Sequence, residues 1–350
     1  MTVKIIWNSR DWAEAARELP VQDGLPCRTV LVPGAAAAHV LRRELLLAGH
    51  SEALAGTRFV PSQVAAASVL RSAAVDFNPG EEALRTIRLA TLFRLGLPLA
   101  HFPVELLRSA PGWDHAFART ISDLEGAGVR PEDIDQAGAS PQLQDVLTIW
   151  RALDQSAGPS WTTQRIYLEA ALVLEQRPEV WPFPGPVLAG AASDLSAAEA
   201  RFIRALPQAT IGVLAGRPVR RLYIERMEKL LGSEASAAIE KTTAPRAAQN
   251  ERDLLASYLF EPPLILADPK RPRSDGPDGT VDLEEHMGLD TELEATADWV
   301  ARQVANGIPL EEMAVLVPTL DPFVGLSRIA LAGCPGTTAN SRCMLRMDCH

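Results

Sequence analysis

The residues able to do chemistry in this sequence are sparse, and the spacing of the lysines decides most. A loop that cradles nucleotide phosphates needs a Gly-rich turn, a Lys to reach the β/γ oxygens and a Ser or Thr for magnesium. Lys4, Lys229, Lys241 and Lys270 follow Val, Glu or Pro, so no Gly-Lys-Ser/Thr occurs. After the first apolar run, where such a loop belongs, the chain reads Asn8-Ser-Arg-Asp11. Asn8 and Ser9 are candidates for weak phosphate contact; the alternative is a turn leading into a helix cap. An acidic strand end, which would hold magnesium, is also missing. The run 186–190 leads into Ala191 and Ala192, and Asp194 stands where a helix cap is expected.

Other chemistry finds no set of partners. There is no Gly-x-Ser-x-Gly nucleophile turn, and the six histidines (39, 50, 101, 115, 286 and 350) are scattered. His115 and Asp114 are expected to face solvent. The carboxylate pairs Glu81-Glu82, Glu284-Glu285 and Glu311-Glu312 fall at predicted surface or capping positions. Cys334, Cys343 and Cys349 crowd toward the carboxyl end beside His350, in a spacing that matches no common zinc pattern. The expectation is therefore no catalytic residue, no metal and no cofactor in this chain.

The elements that would position these residues follow from periodicity. Apolar runs at 3–7, 28–33, 57–60, 186–190 and 209–214 read as strands, and 313–317 as a further one. Helices are expected at 11–20, capped by Asp11 and closed by Pro20, from Ala35 to Gly49, and over 62–74. From about 78 to 180 strands vanish, and apolar residues recur at three- and four-residue intervals. Trp113, Trp150 and Trp299 are expected on core faces. The helix following 190 is read as capped near Ser193 and Asp194, 219–260 as largely helical, and Thr291–Asn306 as an amphipathic helix. Alternation of strands and helices predicts an α/β fold with a doubly wound parallel sheet. The expected organisation is a first α/β part over 1–75, an all-helical insertion over 76–180 and a second α/β part over 181–267. A Pro-, Gly- and charge-rich linker (268–280) leads to the start of another domain (281–325) and an aberrant or disordered tail (326–350).

Charge and hydropathy bound the function. The net charge of −10 argues against a simple phosphate-binding module and leaves room for a local basic groove. No apolar run reaches the length needed to span a bilayer, and MTVKIIWNSRDW lacks the plan of a signal peptide. The cytoplasm is the expected compartment, with no membrane partner.

Several segments together carry a resemblance. Val30–Leu45 resembles the strand and helix that follow the ATP site in superfamily 1 helicases and in AddB-type subunits of bacterial helicase–nucleases, of the PD-(D/E)XK nuclease family. Phe59–Leu70 resembles the next strand and helix, 116–134 the helical insertion of the AddB group, and Pro186–Leu206 the strand and helix around the acidic ATPase motif. There Gly190 and Ala191 occupy the Asp and Glu positions. Glu292–Thr319 resembles the entry to a second RecA-like domain.

The resemblance covers about 320 residues and implies a RecA-like parallel sheet with a helical insertion, plus the start of a second RecA-like domain. It implies a degenerate nucleotide site at Asn8, Ser9, Gly190 and Ala191. It also implies a role as a scaffold for double-strand-break processing, with single-stranded DNA and a partner helicase–nuclease subunit as partners. The helix after the second strand packs near the DNA backbone in such helicases, making Arg42 and Arg43 candidate phosphate contacts; the alternative is solvated arginines on an amphipathic helix. Ser62 and Gln63 open the next helix and are candidates for a phosphate at a helix amino terminus, with capping as the alternative. The family's nuclease residues lie in a carboxyl-terminal domain, so the chain is expected to be a fragment, with the tail read as a frame-shifted segment. The competing expectation is a protein-interaction module with helices 78–180 as its surface.

Overall fold

The computed structural model describes residues 2–6, 9–19, 27–134, 138–190, 195–214, 220–241, 250–258, 263–267, 269, 273 and 276–317. The chain divides into two compact units, Met1–Gly276 and Pro277–His350. In chain order the first unit carries β1 (Thr2–Ile6), α1 (Ser9–Arg17), β2 (Arg28–Val32), α2 (Ala35–Leu47), α3 (Ser51–Leu54), β3 (Thr57–Pro61) and α4 (Ser62–Ser72). Next come β4 (Asn78–Pro79), α5 (Glu81–Leu95), α6 (Val104–Ser109), α7 (Trp113–Gly126), α8 (Pro141–Ala157), β5 (Ser160–Trp161) and α9 (Thr163–Gln176). β6 (Val187–Gly190), α10 (Ala197–Ala205), β7 (Ala209–Leu214), α11 (Arg220–Leu231), α12 (Ser233–Lys241), α13 (Glu251–Tyr258) and α14 (Pro263–Leu266) follow. The second unit holds α15 (Leu289–Ala305) and a short 3₁₀ turn at Leu310–Glu312.

Five strands form one parallel sheet in the order β1-β7-β6-β2-β3. Its core is double-sided because alternate residues of each strand point to opposite faces. Val30, Val32, Phe59, Leu188 and Ile6 pack with Trp12 and Ala16 of α1 and with Leu41 and Leu45 of α2. Leu31, Val60, Val187, Ala189, Ile211 and Val213 face the other way, against α4, α9, α10, α11 and α12. Every residue of β2 and β6 is buried, as a central parallel strand covered on both faces requires.

The helical insertion has a third core of its own. Leu89 and Phe93 of α5, Phe117 and Ile121 of α7, and Leu147, Trp150 and Leu153 of α8 bury one another. Edge-on contacts of Phe117 with Phe93 and Phe102 tie that core together. Trp113 is partly buried against this core, whereas Trp299 of α15 is 41% exposed and not the core residue its periodicity suggests.

Several expectations are corrected. The insertion is not wholly helical, because β4 and β5 form a two-residue parallel bridge where the chain leaves and returns. α9, read with the insertion, places Ile166, Leu168 and Leu174 in the core beneath the sheet. Asp11 lies inside α1 rather than capping it, since the helix already begins at Ser9. The cap of α10 is Ser196, whose hydroxyl accepts from the Glu199 N–H at 3.1 Å; Ser193 and Asp194 lie outside the described residues. Residues 313–317 form no strand. Glu81 is buried, only 3% exposed, with the Arg88 guanidinium 3.1 Å from its carboxylate. The tail expected at 326–350, with Cys334, Cys343, Cys349 and His350, lies outside the described residues.

Candidate functional site

All five strands of the sheet are parallel, so their carboxyl ends share one rim. β2 sends the chain outward to β3, while β6 sends it the other way to β7. The connections therefore diverge between β2 and β6, and such a switch point is where ligands of open α/β sheets bind. Gly34, which precedes α2, and Gly190, which ends β6, stand at this switch point.

The candidate nucleotide-site residues converge only in part. β1 and β6 end on the same rim with β7 alone between them. Ser9 is the first residue of α1 and is partly buried. Gly190 is fully enclosed with φ +95°, and a Cβ there would stand 2.5 Å from the carbonyl oxygen of Gly212. The position resembling the magnesium-holding aspartate is thus one that demands glycine in this backbone. Asn8 and Ala191 lie outside the described residues.

The candidate DNA contacts gather instead around β3, at the far edge of the sheet. Arg42 and Arg43 are exposed on α2, and the Arg42 guanidinium lies over the ring of Phe59 on β3, 5.2 Å from its centroid. β3 then runs directly into Ser62 and Gln63. Gln63 is exposed, and its Nε2 donates to Thr163 Oγ1 at 3.0 Å. Ser62 is buried and bonds through its side chain to Glu199.

Glu199 is the residue that reading along the chain missed. Burial raises its carboxyl above the ordinary glutamate range, while side-chain hydrogen bonds from Ser62 and Tyr167 pull in the opposite direction. The phenol of Tyr167 is pushed up in turn, by its own burial and then by Glu199. Ser196 also donates to Gln164 Oε1 at 2.8 Å, joining α10 to α9. The only local signal was the Ser-x-x-Glu spacing of Ser196 and Glu199, which a capping box also explains.

Among the described residues, no group of three or more His, Cys, Asp or Glu is placed to hold a metal ion, and no helix is long and apolar enough to cross a membrane. Gly34 and Gly190 bring no acid, base or nucleophile to the switch point between β2 and β6. A scan against protein-family models finds no match, and a search of curated proteins finds none either.

Proposed function

We propose that the chain is a degenerate helicase-like scaffold of a DNA break-processing helicase–nuclease, binding single-stranded DNA and a partner helicase subunit without an ATPase of its own. One observation carries this reading. β1 and β6, which by resemblance would hold the phosphate loop and the acidic motif, end on the same rim one strand apart, and the acidic position is a glycine locked by backbone geometry. A RecA-like assignment of the parallel sheet, and of the second unit as the start of another such domain, belongs to the same proposal. DNA would follow the β3 edge, where Arg42 and Arg43 offer exposed cations. Titrating a labelled single-stranded oligonucleotide with the chain, at two salt concentrations, tests the reading.

A second reading is favoured by a different observation. Leu84, Ile87 and Leu95 of α5 are exposed at helical spacing on the insertion, and the side chains of Ser62 and Gln63 are engaged by other residues of the chain. A protein-interaction module without DNA binding would use that stripe. Absence of oligonucleotide binding by a folded sample would favour it.

A further inference from the structure

The insertion carries a small open pocket of about 160 Å³ where the carboxyl ends of α5 and α6 meet the start of α7. Arg94, in the last turn of α5, and Arg108, in the last turn of α6, both line it. Ala90, Phe93 and Leu107 give it apolar walls, and Phe93 and Leu107 belong to the insertion's own core. A hydrogen bond seats Arg108 beside Arg94: its Nε donates at 2.9 Å to the carbonyl of Phe93, the preceding residue. Its Nη2 lies against Gly96, where a Cβ would stand only 2.7 Å away. The bond to Phe93 uses one N–H of the fork and leaves the Nη donors over. Neither arginine pairs with a carboxylate among the described residues. Asp114 is the acid of the lining, but its Oδ1 accepts from the His115 N–H at 3.0 Å in the first turn of α7, where the helix dipole favours a negative charge. The lining therefore holds a single excess positive charge and unused guanidinium donors beside an apolar surface.

We propose that this pocket binds the carboxylate of a small organic acid, a singly charged anion on an apolar stem. The planar fork of a guanidinium matches a carboxylate through charge-assisted hydrogen bonds. One excess charge suits a monoanion, whereas a phosphate dianion would also meet Asp114. The apolar walls take the stem. The site lies within the insertion and does not depend on the helicase-like reading.

The test is thermal unfolding of the full chain in sodium butanoate, against chloride at matched ionic strength. The expected result is a saturable rise in midpoint, on the order of 2–4 °C when butanoate far exceeds its Kd. Butanamide, with the same stem and no charge, should give no saturable rise. The Arg94 side chain makes no hydrogen bond or ion pair among the described residues, so Arg94→Gln should keep the midpoint in chloride. It should need roughly tenfold more butanoate, or more still, for the same rise. Arg108→Lys keeps the charge but loses the fork, and should shift the titration in the same direction. An equal response in Arg94→Gln, an equal response to butanamide, or a midpoint that tracks ionic strength alone would overturn the proposal. A larger rise in inorganic phosphate that vanishes in Arg94→Gln would also overturn it, by giving the pocket to a phosphate.

Discussion

Gly190 sits opposite Gly212 in the β6–β7 register, and its α-carbon has no room for a side chain on the side where the Gly212 carbonyl lies. An acidic residue at this position would need a backbone conformation that L-residues rarely adopt, besides displacing a neighbouring strand. Gly190→Asp should therefore lose stability, by about 2 kcal/mol or more, and gain no magnesium-dependent ATP hydrolysis. Thermal melts with a phosphate-release assay check both halves. A stable variant that hydrolyses ATP would show that the site is only one substitution from function.

The insertion is fastened to α9 through a buried ion pair. Arg85 Nη2 donates to both carboxylate oxygens of Glu125 at 2.9 and 2.8 Å, Nη1 reaches Ser122 Oγ at 2.8 Å, and Thr162 Oγ1 reaches Glu125 at 3.1 Å. Arg85→Met would strand a buried carboxylate and should cost about 3–5 kcal/mol. Arg85→Met with Glu125→Met should cost less than the two single changes summed, with a coupling of about 1–3 kcal/mol. Urea unfolding of the four proteins measures this; strict additivity would mean that the pair is not a unit.

Glu199 should leave a signature in the pH dependence of stability. Its carboxyl titrates higher in the folded chain than in the unfolded one, because burial disfavours the charged form. The stabilisation this confers is complete when the group is protonated, below the unfolded value of about 4.3, and is lost as pH rises through the folded value. Glu199→Gln keeps the shape and cannot ionise. Relative to wild type it should gain stability across that window and then hold a constant advantage at neutral pH. Unfolding free energies from pH 4 to 8 test the sign; a variant less stable at neutral pH would mean that the hydroxyl bonds of Ser62 and Tyr167 outweigh burial.

Asp145 behaves in the opposite sense. Burial pushes its carboxyl up, but the main-chain N–H groups of Phe102, Ala100 and His101 donate to it at 2.7–2.8 Å and hold it below the ordinary aspartate range. Its contribution is present at neutral pH and is lost as pH falls through the folded value. Asp145→Asn should cost about 1.5–3 kcal/mol at pH 7, and much less near pH 2 if the chain is still folded there. An equal cost at both pH values would assign the effect to packing rather than charge.

The strands were legible where β-branched and aliphatic residues run between Pro and Gly, as in Val30-Leu-Val-Pro33 and Pro186-Val-Leu-Ala-Gly190. A buried central strand has to be apolar on both faces, and that shows in a short window. Helix starts were less legible. Asp11 and Asp194 both have the composition of caps, but the start of a helix depends on which residue the preceding strand delivers to it. Periodicity also misplaced Trp299, because it reports a face without reporting whether anything covers it. The bonds from Ser62 and Tyr167 to Glu199, and the burial of Glu81 beside Arg88, join residues from separate helices or separate turns, and local pattern carries no trace of them. The glycine at 190 was visible as a departure from a motif, whereas its cause, the Gly212 carbonyl, needed the register of two strands.

As an ATP-independent scaffold, the chain is proposed to bind DNA along its β3 edge. Fluorescence anisotropy of a labelled single-stranded oligonucleotide, titrated with the chain at low and moderate salt, addresses this claim most directly. The expected result is binding without ATP that weakens with salt. Arg42→Ala with Arg43→Ala should lower both the affinity and the slope of log K against log salt, the slope by about 0.7 for each phosphate that is no longer neutralised. No binding at low salt by a folded sample, or binding indifferent to both arginines, would contradict the claim.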